Sequence, residues 1–253
     1  MVAVTDPRLG ETVLDPASGT GGFLVEAFNH LGKQLKTVSD RKTLQERALR
    51  GCEPKSLPCL LCQLNLLLHG LDTPQIEADN ALRHKLTELG EKDRVYVILT
   101  NPPFGGEEAK GIQGNFPEDK RTAETALLFL QLIMRRLRKE GTFRRNVPDS
   151  TDGSASRPYH ARAAVVVPNG TLFGDGVRAH QGRTAKGFNL HIIVPLANGV
   201  FAPYTSIPTN ILCFDRSGPT REVWYYEQPL PEGRKNYTKT APIQFEEFAD
   251  CIA

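Results

Sequence analysis

No apolar run in the 253 residues approaches the ~18 needed for a membrane-spanning helix, so no helical span is expected. The amino terminus, MVAVTDPRLGETVLD, lacks the charged-then-apolar pattern of a secretory signal. Cysteines are few and odd in number: Cys52, Cys59, Cys62, Cys213 and Cys251. That count argues against a disulfide framework and for a reducing compartment, hence the cytoplasm. Cys59-x-x-Cys62 has no second pair, and the six histidines show no metal spacing. Both cysteines read as core residues, and no metal is expected. Charge of one sign is also scarce, with a net balance of +2. A strongly basic chain would have pointed to phosphate neutralisation. This balance leaves nucleic acid open, but implies that a partner supplies much of the electrostatic grip. There is no internal repeat and no low-complexity tract.

What is present is ordinary globular composition, 40% hydrophobic and 24% charged. Short apolar runs alternate with helical periods, which predicts an α/β fold with a mainly parallel sheet. Strands are predicted at 12–14, 48–52, 75–78, 95–99, 163–167, 190–194 and 210–214, with one more candidate at 223–226. Helices are predicted at about 23–35, 57–69 and 122–139. The second of these is so rich in leucine that burial is expected. Residues 105–121 read as a polar loop. Residues 141–162, basic and containing serine and proline, read as a flexible loop. The cluster Arg135, Arg136, Arg138 and Lys139 reads as a solvated helix end, with DNA-phosphate contact as the alternative. The end, 244–251, reads as the start of a helix cut short.

Polar residues fall where ligands bind in such sheets. Asp15, Glu53, Asp79 and Asn101 each end a predicted strand, and open α/β sheets bind ligands outside the carboxyl ends of their strands. After Asp15 comes Pro16-Ala17-Ser18-Gly19-Thr20-Gly21-Gly22-Phe23, a glycine loop between strand and helix. Glycines there permit a sharp turn and close approach of backbone to ligand; the bland alternative is a turn that merely packs helix on strand. The G-x-G-x-x-G spacing is missing, which disfavours a nicotinamide cofactor. The G-K-[ST] ending is missing, which disfavours a nucleoside triphosphate. Glu53 lies 38 residues after Asp15, beyond the about 20 of dinucleotide folds. Its carboxylate suits a ribose diol. For Asp79 the alternative is an N-cap or turn residue.

Asn101-Pro102-Pro103-Phe104 is the most specific signal, and it resembles the catalytic motif of methyltransferases that act on planar amines. An exocyclic amine of adenine is a poor nucleophile, because its lone pair is delocalised into the ring. To attack a sulfonium methyl it must pyramidalise, so acceptors are needed where its two hydrogens will point. The Asn101 side-chain oxygen and the Pro102 carbonyl can supply them. The two prolines pre-organise that backbone. Phe104 offers a face for stacking the base.

The wording DPASGTGGF, followed by NPPF, resembles the N6-adenine DNA methyltransferases that serve as modification subunits of type I restriction-modification systems. Segments 51–54, 66–70, 164–170, 198–205 and 209–214 are similar as well. The resemblance implies a Rossmann-like S-adenosylmethionine-dependent methyltransferase fold. It should have a mostly parallel sheet, a late antiparallel strand and helices on both faces. It implies that Asp15 and the loop from Ala17 to Phe23 face the methionine part of S-adenosylmethionine. Glu53 would hold the ribose, and Asp79 the cofactor's adenine amine. Phe201 matches the aromatic residue that helps hold the flipped base; a core position in a hairpin is its alternative. The implied partners are double-stranded DNA, a specificity subunit and a restriction subunit. Such proteins carry a helical domain before the catalytic core, and here only fourteen residues precede Asp15. A single catalytic domain over 1–253, without that helical domain, is therefore the expectation. Two other readings stay open. One is a non-catalytic remnant that binds cofactor or partner subunits. The other is a methyltransferase for another planar amine, in RNA guanine or protein glutamine.

Overall fold

A computed structural model describes residues 1–139, 160–173 and 187–252. The loop expected at 141–162 lies outside them except for its last three residues. Of those, Arg162 already belongs to a strand.

In chain order come α1 (Val2–Thr5), β1 (Val13–Asp15), α2 (Gly22–Gly32), α3 (Val38–Arg47), β2 (Leu49–Cys52) and α4 (Ser56–Leu68). Then follow β3 (Ile76–Glu77), β4 (Val97–Thr100), α5 (Lys110–Gln113), α6 (Thr125–Arg136), β5 (Arg162–Pro168) and α7 (Asn169–Phe173). The last elements are β6 (Asn189–Pro195), β7 (Thr209–Asp215), β8 (Trp224–Tyr225) and α8 (Ala249–Ile252). The strands form one sheet in the order β3-β2-β1-β4-β5-β7-β6-β8. The first five pair in parallel. β7 runs antiparallel to both β5 and β6, so the expected late antiparallel strand is there. No described helix is long and apolar enough to cross a membrane.

Alternation along the strands builds two cores, as a period of two requires. Val13, Val97, Leu99, Ala164 and Cys213 point to the side of α2, α3 and α4. Leu14, Ile98, Val165 and Leu212 point to the other, where Ile133 of α6 packs. Helices thus cover both faces.

Two readings of the sequence need correction, and one helix was not read at all. Helix α3 had no prediction: VSDRKTLQER has almost no apolar period, and only Leu44 is buried. Its start is fixed by a capping box, with the Thr37 hydroxyl accepting from the Asp40 N–H and the Asp40 carboxylate accepting from the Thr37 N–H. Helix α4 buries Cys59, Cys62 and Leu66 but exposes most of its leucines, contrary to the expected burial. Arg135 in the last turn of α6 and Arg138 just past it are no solvated end, although Lys139 beside them is exposed. Arg135 donates to the carbonyls of Leu86 and Leu89. The Arg138 guanidinium stacks 4.8 Å from the centre of the Tyr96 ring.

Candidate active site

The order 3-2-1-4 places the ends of four neighbouring parallel strands side by side. Asp15 closes β1, and Glu53 follows β2 directly. Asp79 follows β3 by two residues, and Asn101 follows β4 directly. Chain reversal between β1 and α2 is made by the glycine loop. Gly19 and Gly21 both sit at positive φ, 54° and 85°. A Cβ on Gly21 would lie 2.8 Å from the Cys62 sulfur of α4. The glycine therefore answers both a left-handed turn and close helix packing. Phe23 packs against the core beneath α2, and Ala17 against the cluster around Phe116 and Leu128.

Hydrogen bonds join loop and strand ends into one frame. The Asp15 carboxylate accepts from the Ala17 N–H at 3.1 Å. Ser18 N–H donates to the Cys52 carbonyl at 3.0 Å. One Glu53 oxygen accepts from Gly19 N–H at 3.1 Å and the other from Lys55 N–H at 3.0 Å. Asn65 of α4 donates to the Thr20 carbonyl at 3.1 Å, and Gly22 begins α2 directly after the loop. Asp79 pairs with Arg83 at 2.9 Å and accepts from Asn80 N–H at 2.8 Å. Its neighbour Asn80, not Asp79, caps the following turn by accepting from Leu82 N–H. Pro16, Cys52, Asp79, Asn80 and Leu132 line one hollow beside β2 and β3.

Asp15 is almost fully buried. Burial pushes its pKa up to about 7, and the Glu53 charge pushes the same way, against the Thr100 hydroxyl and the Ala17 N–H. Thr100 is itself wholly buried and faces Asp15 without a hydrogen bond of good geometry. Sequence reasoning missed Thr100, because a threonine ending an apolar strand reads only as strand propensity. It also missed Asn65.

At the end of β4, the Asn101 Oδ1 atom is buried and has no hydrogen-bond partner. An orphaned acceptor in the interior is costly unless a ligand donor meets it. Pro102 beside it is buried. Phe104 meets Phe201 edge to face, with ring centres 5.1 Å apart and planes at 68°. Phe201 comes from the loop between β6 and β7, so residues 97 apart in sequence converge. Among the described residues, no group of three or more His, Cys, Asp or Glu could hold a metal ion.

The N-6 DNA methylase family matches residues 1–147 and 157–253. The type I restriction enzyme EcoEI methylase subunit of Escherichia coli is 51% identical over 98% of this chain and 46% of its own length. The EcoKI methylase subunit of Escherichia coli is 29% identical over 97% of this chain and 45% of its own. A modification subunit from Vibrio vulnificus YJ016 superposes with a TM-score of 0.88 at 61% identity, covering 100% of this chain and 50% of that one. The chain thus spans about half the length of the relatives it matches. On the family match, the chain belongs to the N-6 DNA methylase family.

Proposed function

We propose that these 253 residues act as one catalytic domain that moves a methyl group from S-adenosylmethionine to N6 of an adenine flipped out of double-stranded DNA. The supporting observation is the buried, unpartnered Asn101 Oδ1 beside the Phe104–Phe201 pair.

S-adenosylmethionine, when bound, supplies an electrophilic methyl on its sulfonium. The chain's residues fit such a ligand. In the loop from Ala17 to Phe23, the N–H groups of Ala17, Ser18, Gly19 and Gly21 are taken up by the frame itself, which leaves Thr20 and the start of α2 for a carboxylate, and Asp15 suits an ammonium. The Glu53 oxygens keep lone pairs for a ribose diol, and Asp79 suits an exocyclic amine. On the target side, Asn101 Oδ1 and the Pro102 carbonyl accept the two amine hydrogens. They favour the pyramidal amine over the planar one. A base entering here exchanges an edge-to-face contact worth about 0.5–1.5 kcal/mol for stacking worth about 1–3 kcal/mol. That helps offset the few kcal/mol of taking the base out of the duplex. A net charge of +2 is small for a chain gripping DNA alone. The reading therefore includes a specificity subunit that selects the site and a restriction subunit in the same cytoplasmic complex, as its type I relatives suggest.

The test is transfer of tritiated methyl to N6 of adenine in DNA, with the specificity subunit present and Asn101→Ala as control. Wild type should label adenine. Asn101→Ala should lose about 10²–10³-fold in rate while still binding S-adenosylmethionine in a calorimeter. Equal rates for the two proteins would overturn the reading.

A further inference from the structure

The loop that carries Phe201 is held at its tip by a segment far along the chain. At its base, where β6 and β7 close, the Leu196 N–H donates to the Thr209 carbonyl at 2.9 Å. The tip is a tight turn, in which the Ala202 N–H donates to the Gly199 carbonyl and the Tyr204 N–H to the Phe201 carbonyl, both at 2.9 Å. Against that turn lies Tyr237, whose N–H donates to the Asn198 carbonyl at 2.9 Å. Gly199 sits at φ 82°, and a Cβ there would run into the Tyr237 carbonyl oxygen. Glycine is what allows this approach of backbone to backbone. The Tyr237 side chain is fully buried, yet among the described residues it joins none of the three apolar clusters. It is thus buried outside the cores that hold the sheet together. Its hydroxyl donates to one Glu247 carboxylate oxygen, and the Gln244 N–H donates to the other at 2.8 Å. These two bonds hold the Glu247 carboxyl below the usual carboxylate range, so the acceptor is ionised at neutral pH. The buried Gln228 side chain donates to the Glu247 carbonyl at 2.8 Å, and the Gln228 N–H to the Pro195 carbonyl at the end of β6 at 3.4 Å.

We propose that Tyr237, fixed by Glu247, is a positioning residue that holds the Phe201 turn against Phe104 and so sets the slot for the target base. The proposal rests on the reading of Phe201 as a base-holding ring. Twelve residues separate Leu196 from Thr209, too many for the two strands alone to fix the tip. Stacking needs the ring in one place before the base arrives. The tie runs from the end of β6 through Gln228, Glu247 and Tyr237 to Asn198 and Gly199, three and two residues before Phe201. A phenol donating to a carboxylate makes a stronger bond than a neutral pair, which suits a tie that must hold a turn. If Tyr237 served only as packing, its loss would loosen the chain in general. A positioning role confines the loosening to the turn and expresses it through Phe201.

The test joins hydrogen exchange, read by peptide mass spectrometry, to the methyl-transfer assay above. Tyr237→Phe keeps the ring and removes the hydroxyl. It should speed exchange in peptide 198–205 at least about tenfold, while β7 and the affinity for S-adenosylmethionine stay as in wild type. Methyl transfer to DNA should slow about three- to tenfold. In a Phe201→Ala background the same substitution should slow transfer no further, because its effect runs through that ring. Glu247→Ala should reproduce the exchange pattern and serves in place of Tyr237→Phe if that variant does not fold. Glu247→Gln keeps an acceptor for the hydroxyl and should restore most of the protection. Unchanged exchange in 198–205, faster exchange spread over the whole sheet, or additive slowing in the Phe201→Ala background would each overturn the proposal. A wild-type chain that labels no adenine would sink the reaction assigned above, and the exchange pattern alone would then decide whether Tyr237 holds the turn.

Discussion

At Asp15 a buried carboxyl is held against its own solvation. Its pKa stands near 7 in the folded chain, because burial raises it from 3.8, a value close to that of the unfolded chain. The sign follows directly. Between about pH 4 and pH 7 the unfolded chain has released this proton and the folded chain has kept it, so stability falls as pH rises through that window. Above pH 7 the loss is complete and stays constant. Asp15→Asn keeps the oxygen that accepts from Ala17 and removes the charge. It should melt at the same temperature as wild type near pH 4 and several degrees higher at pH 8, read by calorimetry across pH. Identical pH profiles would refute the buried-charge account. If Asp15 faces a cationic group of S-adenosylmethionine, binding demands the ionised form. Affinity should then climb with pH up to about 7 and level off above it. Protons should be released below pH 7, which calorimetry in two buffers of different ionisation enthalpy detects.

At the scale of elements, the junction of the glycine loop with α4 decides how firmly the crevice is built. Gly21→Ala must place a methyl at φ 85° and 2.8 Å from the Cys62 sulfur. The backbone strain costs about 1–3 kcal/mol, and overpacking a similar amount. Both should appear as a lower melting temperature and weaker cofactor binding. Adding Cys62→Ala removes the clash but not the strain, so the double variant should recover only part of the loss. Full recovery, or none, would contradict this partition. Asn65→Ala frees the Thr20 carbonyl and should weaken S-adenosylmethionine binding by about two- to tenfold, as one hydrogen bond allows. The sheet and the four strand-end residues were legible from sequence, because alternation and short apolar runs mark strands and the ends follow. Helix α3 was not, since its polar sequence stabilises it through a cap rather than a core stripe. The inward face of α4 was legible in part: Cys59 and Cys62 read as core residues and are buried. Most of its leucines are exposed instead, because leucines and cysteines form two apolar stripes on one helix and leucine content alone does not tell which stripe meets the sheet. The meeting of Phe104 with Phe201 needed the late hairpin to be folded back, which no local pattern encodes.

Across the whole molecule, the sheet has a working end and a holding end. The carboxyl ends of the parallel strands form the crevice, and Arg162 starts β5 at the opposite end. Its guanidinium grips the amino-terminal segment. It donates to the Thr5 and Asp6 carbonyls and binds both Glu11 oxygens, at 3.0 and 2.8 Å. Glu11 is buried and also accepts from the Arg8 N–H at 2.8 Å. This one side chain therefore ties the first eleven residues to a strand some 150 positions later. Sequence reasoning placed Arg162 in a basic loop, because a partner so distant leaves no local mark. Breaking a buried pair from one side leaves an uncompensated charge, at about 3–5 kcal/mol. Glu11→Ala should thus lower the melting temperature by roughly 10 °C. Glu11→Leu combined with Arg162→Met removes both charges and should recover much of that loss, since a buried pair replaced by apolar groups is often neutral. Because the pair lies at the end of the sheet away from the crevice, folded Glu11→Ala at low temperature should bind S-adenosylmethionine as tightly as wild type. A variant that melts early and also binds weakly while still folded would show that the amino-terminal segment shapes the crevice as well as securing the sheet.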